Sequence, residues 1–315
     1  MTSLFQSDGA WRREGKRAAV CFSIDDVHPA TRRDAYEAGG DLGEGALKHL
    51  EWLQQRHPKL QTTLFVTADW RCLSPVPTRR LLAAIPGLRD RFFLAPVRAQ
   101  GEMRISGHPE FAAYLKSLPR TDVAFHGLEH VSRGIFIPGE FARLGRTECA
   151  RRLRECRAIF AEAGLPESSG LCPPGWVATP ALIEAMCDTG LSFLSSARDI
   201  RSPVTASAVS RMSGLEGRSL IQPEPIAEGR LLHFTVNFQA TSPAQRARDI
   251  IEAGGLLNIK AHIVKEAFGY TAKDALDENY RDRLDTLLHE LESEYGDALW
   301  WTSMGEIARE WPRAS

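Results

Sequence analysis

Seven runs along the chain gather apolar, β-prone residues over four to eight positions: "AAVCFSI" (18 to 24), "TTLFVT" (62 to 67), "DVAF" (122 to 125), "LSFLSS" (191 to 196), "LLHFTVNF" (231 to 238), "LLNIKAHI" (256 to 263) and "ALWWTS" (298 to 303). Between most of them the apolar period changes to that of a helix. Residues 140 to 163 carry Leu153, Cys156 and Phe160 on one face and stop at Gly164. Residues 276 to 295 carry Leu276, Tyr280, Leu284, Leu287, Leu291 and Tyr295 in the same way. Thr179-Pro180, Ser242-Pro243 with Gln245, and Ser303 with Glu306 read as helix N-caps, the last two as capping boxes. Near-continuous apolar strands alternating with helices predict an α/β domain: a parallel sheet covered by helices, closed as a barrel or open and doubly wound.

The alternation breaks at 71 to 120, which is rich in Pro, Arg and Gly. This stretch reads as one long insertion, with short helices near 78 to 84 and 109 to 117, and such insertions often serve as lids or binding loops. With no repeat or linker elsewhere, the chain is read as a single domain over 1 to 315.

Composition changes little in this picture. Of 315 residues, 43% are hydrophobic and 25% charged, which supports a sizeable core. Lys plus Arg (39) nearly balance Asp plus Glu (40), so no overall field attracts nucleic acid or an anionic bilayer. The N-terminal stretch "MTSLFQSDGAWRREGKR" lacks the apolar centre of a signal peptide, and no run reaches the roughly 18 apolar residues of a membrane span. A cytoplasmic location is expected. The six cysteines (21, 72, 149, 156, 172, 187) form no CxxC pair or regular framework, so reduced thiols without disulfides are expected.

Chemistry enters at the strand ends. Asp25 and Asp26 follow the first strand, "HGLEH" (126 to 130) follows "DVAF", and His262 closes "LLNIKA". In parallel α/β folds the C-terminal strand ends converge on one face, which brings these three clusters together. Adjacent carboxylates repel and are costly to desolvate, so Asp25-Asp26 needs open water or a cation; an N-cap pair is the plain alternative. In a helical turn, His126 and His130 would point the same way, about 6 Å apart. With one carboxylate they make a His, His, Asp set that leaves a coordination position for water, as catalytic zinc sites do. The second carboxylate is then placed as a base beside an activated water, and His262 can protonate a leaving group. Each motif alone has a structural reading; the combination favours the metal.

"SIDD", "HGLEH", "CPPGW" (172 to 176) and "IKAH" (259 to 262), in that order, resemble the motifs of the polysaccharide deacetylases, carbohydrate esterase family four, and especially a divergent branch with "DDVHP" and "HGLEH" forms. The resemblance spans roughly residues 18 to 305. It implies a distorted (β/α) barrel of about seven parallel strands, a divalent metal, usually zinc, and hydrolysis of an N-acetyl or related amide, most often on an amino sugar. By position it implies Asp25 as base, Asp26, His126 and His130 as metal ligands, and His262 as general acid.

Two departures from the family pattern stand out. The arginine that normally opens the third motif and orders the catalytic aspartate is replaced by Cys172, and a neutral thiol cannot supply that charge. Either another arginine, with Arg104 from the insertion as the candidate, reaches in, or Asp25 is tuned differently, or activity is weak. The aspartate that orients the acid histidine has no clear match; Asp199 is a candidate, with an ordinary loop aspartate the favoured reading. Pro174, Gly175 and Trp176, with Arg104 and Asn237, are the candidate substrate contacts: Trp176 offers a flat wall for a sugar or acyl group, although a buried barrel tryptophan reads as well, and for Asn237 hydrogen bonding within the core is the default alternative. His28 is expected to brace the first loop, and His108 to lie with Arg104 in a lid. The reaction expected is metal-dependent deacetylation of an amino sugar or small glycosylated metabolite. Its rivals are hydrolysis of another amide, such as a formamide or ureide, and a catalytically silent barrel that binds a glycan or metabolite.

Overall fold

A strand buried along its whole length must have partners on both edges and cover on both faces, and β1 (Ala18–Val27) is such a strand. The structure, a computed structural model, describes residues 15–30, 42–71, 98–131, 139–263, 266–267 and 270–311. After β1 come α1 (Ala46–Arg56), β2 (Thr62–Val66), α2 (Pro109–Ser117), β3 (Thr121–Phe125), α3 (Arg146–Glu162), β4 (Gly170–Leu171), α4 (Pro180–Asp188) and β5 (Phe193–Arg198). The chain continues through β6 (Leu231–Val236), α5 (Ala244–Glu252), β7 (Leu256–His262), α6 (Glu278–Tyr295), β8 (Leu299–Trp301) and α7 (Met304–Glu310).

The strands β1 to β6 pair in sequence order, all parallel, and β7 returns to pair with β1 from Ala19↔Leu256 to Asp25↔His262. The ring closes between β6 and β7 at Phe238↔Ile259. Seven parallel strands thus form the distorted barrel, with β8 attached to the start of β1. Alternation along the strands separates two cores. Ala19, Cys21, Phe65, Phe193, Phe234 and Leu256 face inward, and Met304, Ile307 and Ala308 of α7 join them as a plug. Val20, Phe22, Ile24, Leu194 and Ile259 face outward against the helices. Phe193 meets Phe65 and Phe234 edge to face, at 6.4 and 5.7 Å between centroids, and each such ring contributes about 1.5–3 kcal/mol on burial.

The two-residue strand β4 was not visible as an apolar run. Gly170 is required there because a Cβ would stand 2.1 Å from the Phe193 ring, so the strand lacks the side chain that would have marked it. The caps divide. Thr179 and Ser303 accept from the amides of Leu182 and Glu306 as the sequence predicts. Ser242 does not cap: α5 starts one residue later, and the Ser242 hydroxyl accepts from the Gln239 amide. In the second capping box, Glu306 reaches the Thr302 hydroxyl. The predicted helix at 109 to 117 is α2; the one at 78 to 84 lies outside the described residues. None of the five described cysteines is in a disulfide, and Cys72 is not among them. Among the described residues no helix is long and apolar enough to cross a membrane.

One buried group ties this fold to pH. His233, on the outward side of β6 and 1% exposed, has no hydrogen-bond partner at either ring nitrogen. Burial, with Arg218 nearby, pulls its pKa down to about 3. Between that value and the ordinary His range the unfolded chain binds a proton that the native chain refuses, so stability falls with acidification by about 1.4 kcal/mol per pH unit. The melting temperature of His233→Leu should therefore fall less steeply from pH 6 to pH 4 than that of the wild type. Parallel slopes would show that His233 does not stay neutral in the fold.

Candidate active site

At the end of β1 the pairing with β2 slips: Ile24 faces Leu64 and Val27 faces Val66, leaving Asp25 and Asp26 opposite one residue. The slip is a β-bulge, and Asp26 takes a left-handed φ of 62°. Strict alternation would send the neighbouring side chains to opposite faces; the bulge brings both carboxylates to the barrel mouth.

The HGLEH segment leaves β3 as a loop rather than the helical turn expected from its spacing. Its shape is set by Glu140, whose buried carboxylate accepts from the amides of Leu128, Glu129 and His130 at 3.1, 3.1 and 2.9 Å. Burial pushes the Glu140 carboxyl up, opposed by Arg152 at 3.0 Å and by these amides. Gly127, at φ 88°, passes so close that a Cβ would come within 2.5 Å of Glu140 Oε2. Gly127→Ala should therefore cost about 1–3 kcal/mol by urea denaturation and lower metal uptake, because the loop must leave Glu140. Wild-type stability in this variant would contradict the account.

The result is a tight three-residue cluster. His126 Nε2 lies 2.8 Å and His130 Nε2 3.1 Å from Asp26 Oδ1, and the imidazole centroids are 5.3 Å apart. All three residues are at most 4% exposed, and their ligand atoms lie within 4.8 Å of one another. Two imidazole nitrogens and one carboxylate, aimed at a common point and leaving coordination positions open, suit a catalytic divalent ion. His130, like Asp26, holds a left-handed φ, of 56°. Such backbone costs non-glycine residues on the order of 1–2 kcal/mol each and is held here by the surroundings. Those surroundings include Trp70, stacked on His28 at 4.0 Å and packed on His130 at 4.5 Å, and His28 itself, whose Nδ1 meets the Asp26 carbonyl at 2.5 Å.

Asp25 sits beside the cluster in a separate network. Its Oδ2 pairs with the Lys260 ammonium, accepts from the Cys172 thiol at 3.4 Å and lies 3.8 Å from His262 Nε2. Its Oδ1 is buried and accepts from no described group. Burial pushes the Asp25 carboxyl up, but Lys260, His126 and His262 outweigh it and hold the carboxyl below its usual range. Lys260 is raised despite its own burial, by Asp25 and Cys172. The charge missing at Cys172 therefore comes from Lys260, two residues before His262 on the same inward face of β7. Asp25, His126 and Cys172 also lie close enough to share an ion, but the Lys260 ammonium already supplies the cation there.

Several other assignments change. Arg104 bonds Ser106 and Glu162 and does not reach Asp25. Asp199 accepts from the amides of Arg201, Ser202 and Arg211 and folds its own loop. Asp274 lies beside His262, with its Oδ2 3.0 Å from His262 Nδ1. The Asn237 amide is spent on the barrel seam, donating to the Leu220 and Leu256 carbonyls and accepting from the Asn258 amide; it has no group left for a substrate. The His108 imidazole donates from Nε2 to the Glu102 carbonyl at 3.0 Å, in an exposed turn. Trp176 stands at the mouth, 5.9 Å from the His262 ring, carried by the turn of Pro174 and Gly175 (φ 67°). Its indole is half-buried, with Lys260 4.9 Å and Arg198 5.1 Å from the ring centre.

The distorted parallel barrel is the fold of the carbohydrate esterase family four deacetylases, here in a divergent sequence. Its backbone is similar to that of an inferred polysaccharide deacetylase from Mycobacterium smegmatis (TM-score 0.56, 13% identity, covering 96% of this chain and 94% of that one). It is likewise similar to the Puue allantoinase (0.54, 11%, 94% and 91%) and to an inferred polysaccharide deacetylase from Pseudomonas aeruginosa PAO1 (0.54, 12%, 95% and 92%). By sequence, no protein-family model and no curated protein matches the chain.

Proposed function

We propose that this protein is a metal-dependent hydrolase that removes the N-acetyl group from an amino sugar or a small glycosylated metabolite in the cytoplasm. The observation that carries the reading is the convergence of Asp26, His126 and His130 on one point beside Asp25 and His262. These three residues would hold a divalent ion, zinc in this reading, which when bound polarises the attacked carbonyl and makes water a better nucleophile near neutral pH. Asp25 Oδ1 takes the proton from the attacking water. Lys260 keeps Asp25 ionised and fixes Oδ2, so that the other oxygen faces the reaction. His262, with the Asp274 carboxylate 3.0 Å from its Nδ1, delivers a proton to the departing amine, and Trp176 forms the wall against which the substrate lies.

The test is a panel of acetylated amino sugars assayed for released acetate with wild type and Asp25→Asn, each loaded with zinc. Turnover should vanish in Asp25→Asn while metal content is retained. Absence of turnover by wild type on every amide, with binding that survives Asp25→Asn, would mark a binding barrel instead. The fold likeness to an allantoinase supports a second reading, hydrolysis of a formamide or ureide; formate or ammonia in place of acetate would identify it.

A further inference from the structure

The end of β5 carries a charge that this reaction does not use. Phe193 and Ser195 face Leu232 and Phe234 of β6, and Leu232, Phe234 and Phe193 belong to the inward core. The register then slips: Ala197 faces Thr235, and Arg198 faces Val236, which has the same inward parity as Leu232 and Phe234. Without the extra residue Arg198 would share the outward face of Leu194. The bulge turns it into the barrel mouth instead. It is a built feature: the Ser196 carbonyl accepts from the Leu215 amide at 2.8 Å, and Gly214 (φ 82°) lies so close that a Cβ would be 1.7 Å from that carbonyl oxygen.

Once turned inward, the guanidinium finds no anion. Among the described residues it makes no hydrogen bond or ion pair, and its Nε is buried without a partner. Burial pulls it below the usual guanidinium range, Asp274 opposes this, and Arg201 adds repulsion. The face of Trp176 lies 5.1 Å from the guanidinium carbon and satisfies none of its five N–H donors. Asp274 is engaged beside His262. A half-buried, unpaired arginine is costly for the fold, and arginine is the side chain best matched to carboxylate and phosphate.

We infer that the substrate carries an anionic group, a carboxylate or phosphate ester, which Arg198 binds across the Trp176 face while the neighbouring amide lies at Asp25 and His262. This rests on the proposed amide hydrolysis for the position of the amide, and supplies the substrate's charge. The test is calorimetric titration of the zinc-loaded full chain, in the Asp25→Asn background, with neutral N-acetylglucosamine, its 6-phosphate, and N-acetylmuramic acid as the carboxylate.

At least one anionic probe should bind about tenfold or more tightly than the neutral one, consistent with a charge-assisted pair. Comparing the two anions separates phosphate from carboxylate. Arg198→Gln should abolish the preference, Arg198→Lys should retain part of it, and neither should lower the melting temperature by more than the loss of the Trp176 contact, because among the described residues no hydrogen bond or ion pair depends on that charge. Equal affinity for charged and neutral probes, a preference that survives Arg198→Gln, binding of none of them, or an Arg198→Gln destabilised beyond that loss would each overturn the assignment. The readout is binding, so charge preference without acetate release from any amide would sink the deacetylase reading and leave this one standing.

Discussion

Lys260→Met should lose nearly all turnover and about 3–5 kcal/mol of stability, because it strands the Asp25 carboxylate in the barrel with no cation beside it. Asp25 then takes up a proton and can no longer accept one from water. Denaturant melts would read the first effect and acetate release the second. Lys260→Arg keeps the charge and should recover part of both. The double variant Lys260→Met with Asp25→Asn should be more stable than Lys260→Met alone, since the orphaned charge is gone. If Lys260→Met were as active and stable as wild type, Asp25 would be tuned by something else, and the account of how this chain manages without the usual arginine would be wrong.

His126→Ala is the second large effect. Metal analysis of the purified wild type should give close to one divalent ion per chain, and the variant close to none. Added zinc should raise the wild-type melting temperature, by an amount equivalent to about 4 kcal/mol at a thousandfold excess over its dissociation constant, and leave the variant unmoved. Both outcomes follow from the shared focus of His126, His130 and Asp26. A variant that still binds one ion with wild-type affinity would place the metal elsewhere.

The parts of this arrangement that could be read in the sequence were those that repeat or stand at strand ends. Alternation and strand length announced a parallel sheet covered by helices, barrel or doubly wound, and the family resemblance pointed to the barrel; Asp26, His126 and His130 stood out as candidates because each follows an apolar run. Lys260 and Asp274 were not assigned, though one of them left a trace. In "LLNIKAHI" the polar residues 258, 260 and 262 recur with period two inside an apolar strand, which marks an inward polar stripe. Reading that stripe would have put Lys260 beside His262. Asp274 reaches His262 only because the segment after the strand doubles back, with the His262 amide bonded to the Asp274 carbonyl. No local pattern encodes that return.

The bulges were equally silent, since an inserted residue changes which way every later side chain faces without changing composition. They decide the inward aim of Asp25 and Asp26 and of Arg198. Asn237 falls to its default reading, core satisfaction: beside the seam of β6 and β7, two backbone carbonyls and an amide need a partner, and a side-chain amide meets that need as well as it would meet a substrate's.

The floor of the barrel is packed with phenylalanine rings and stoppered by the last helix. Among the described residues the base of the barrel is therefore closed, and the way to Asp25 and His262 runs past Trp176. On the proposed reaction the freed acetate shares that path with the next molecule, and weak inhibition by that product is the expected kinetic mark of the closed base.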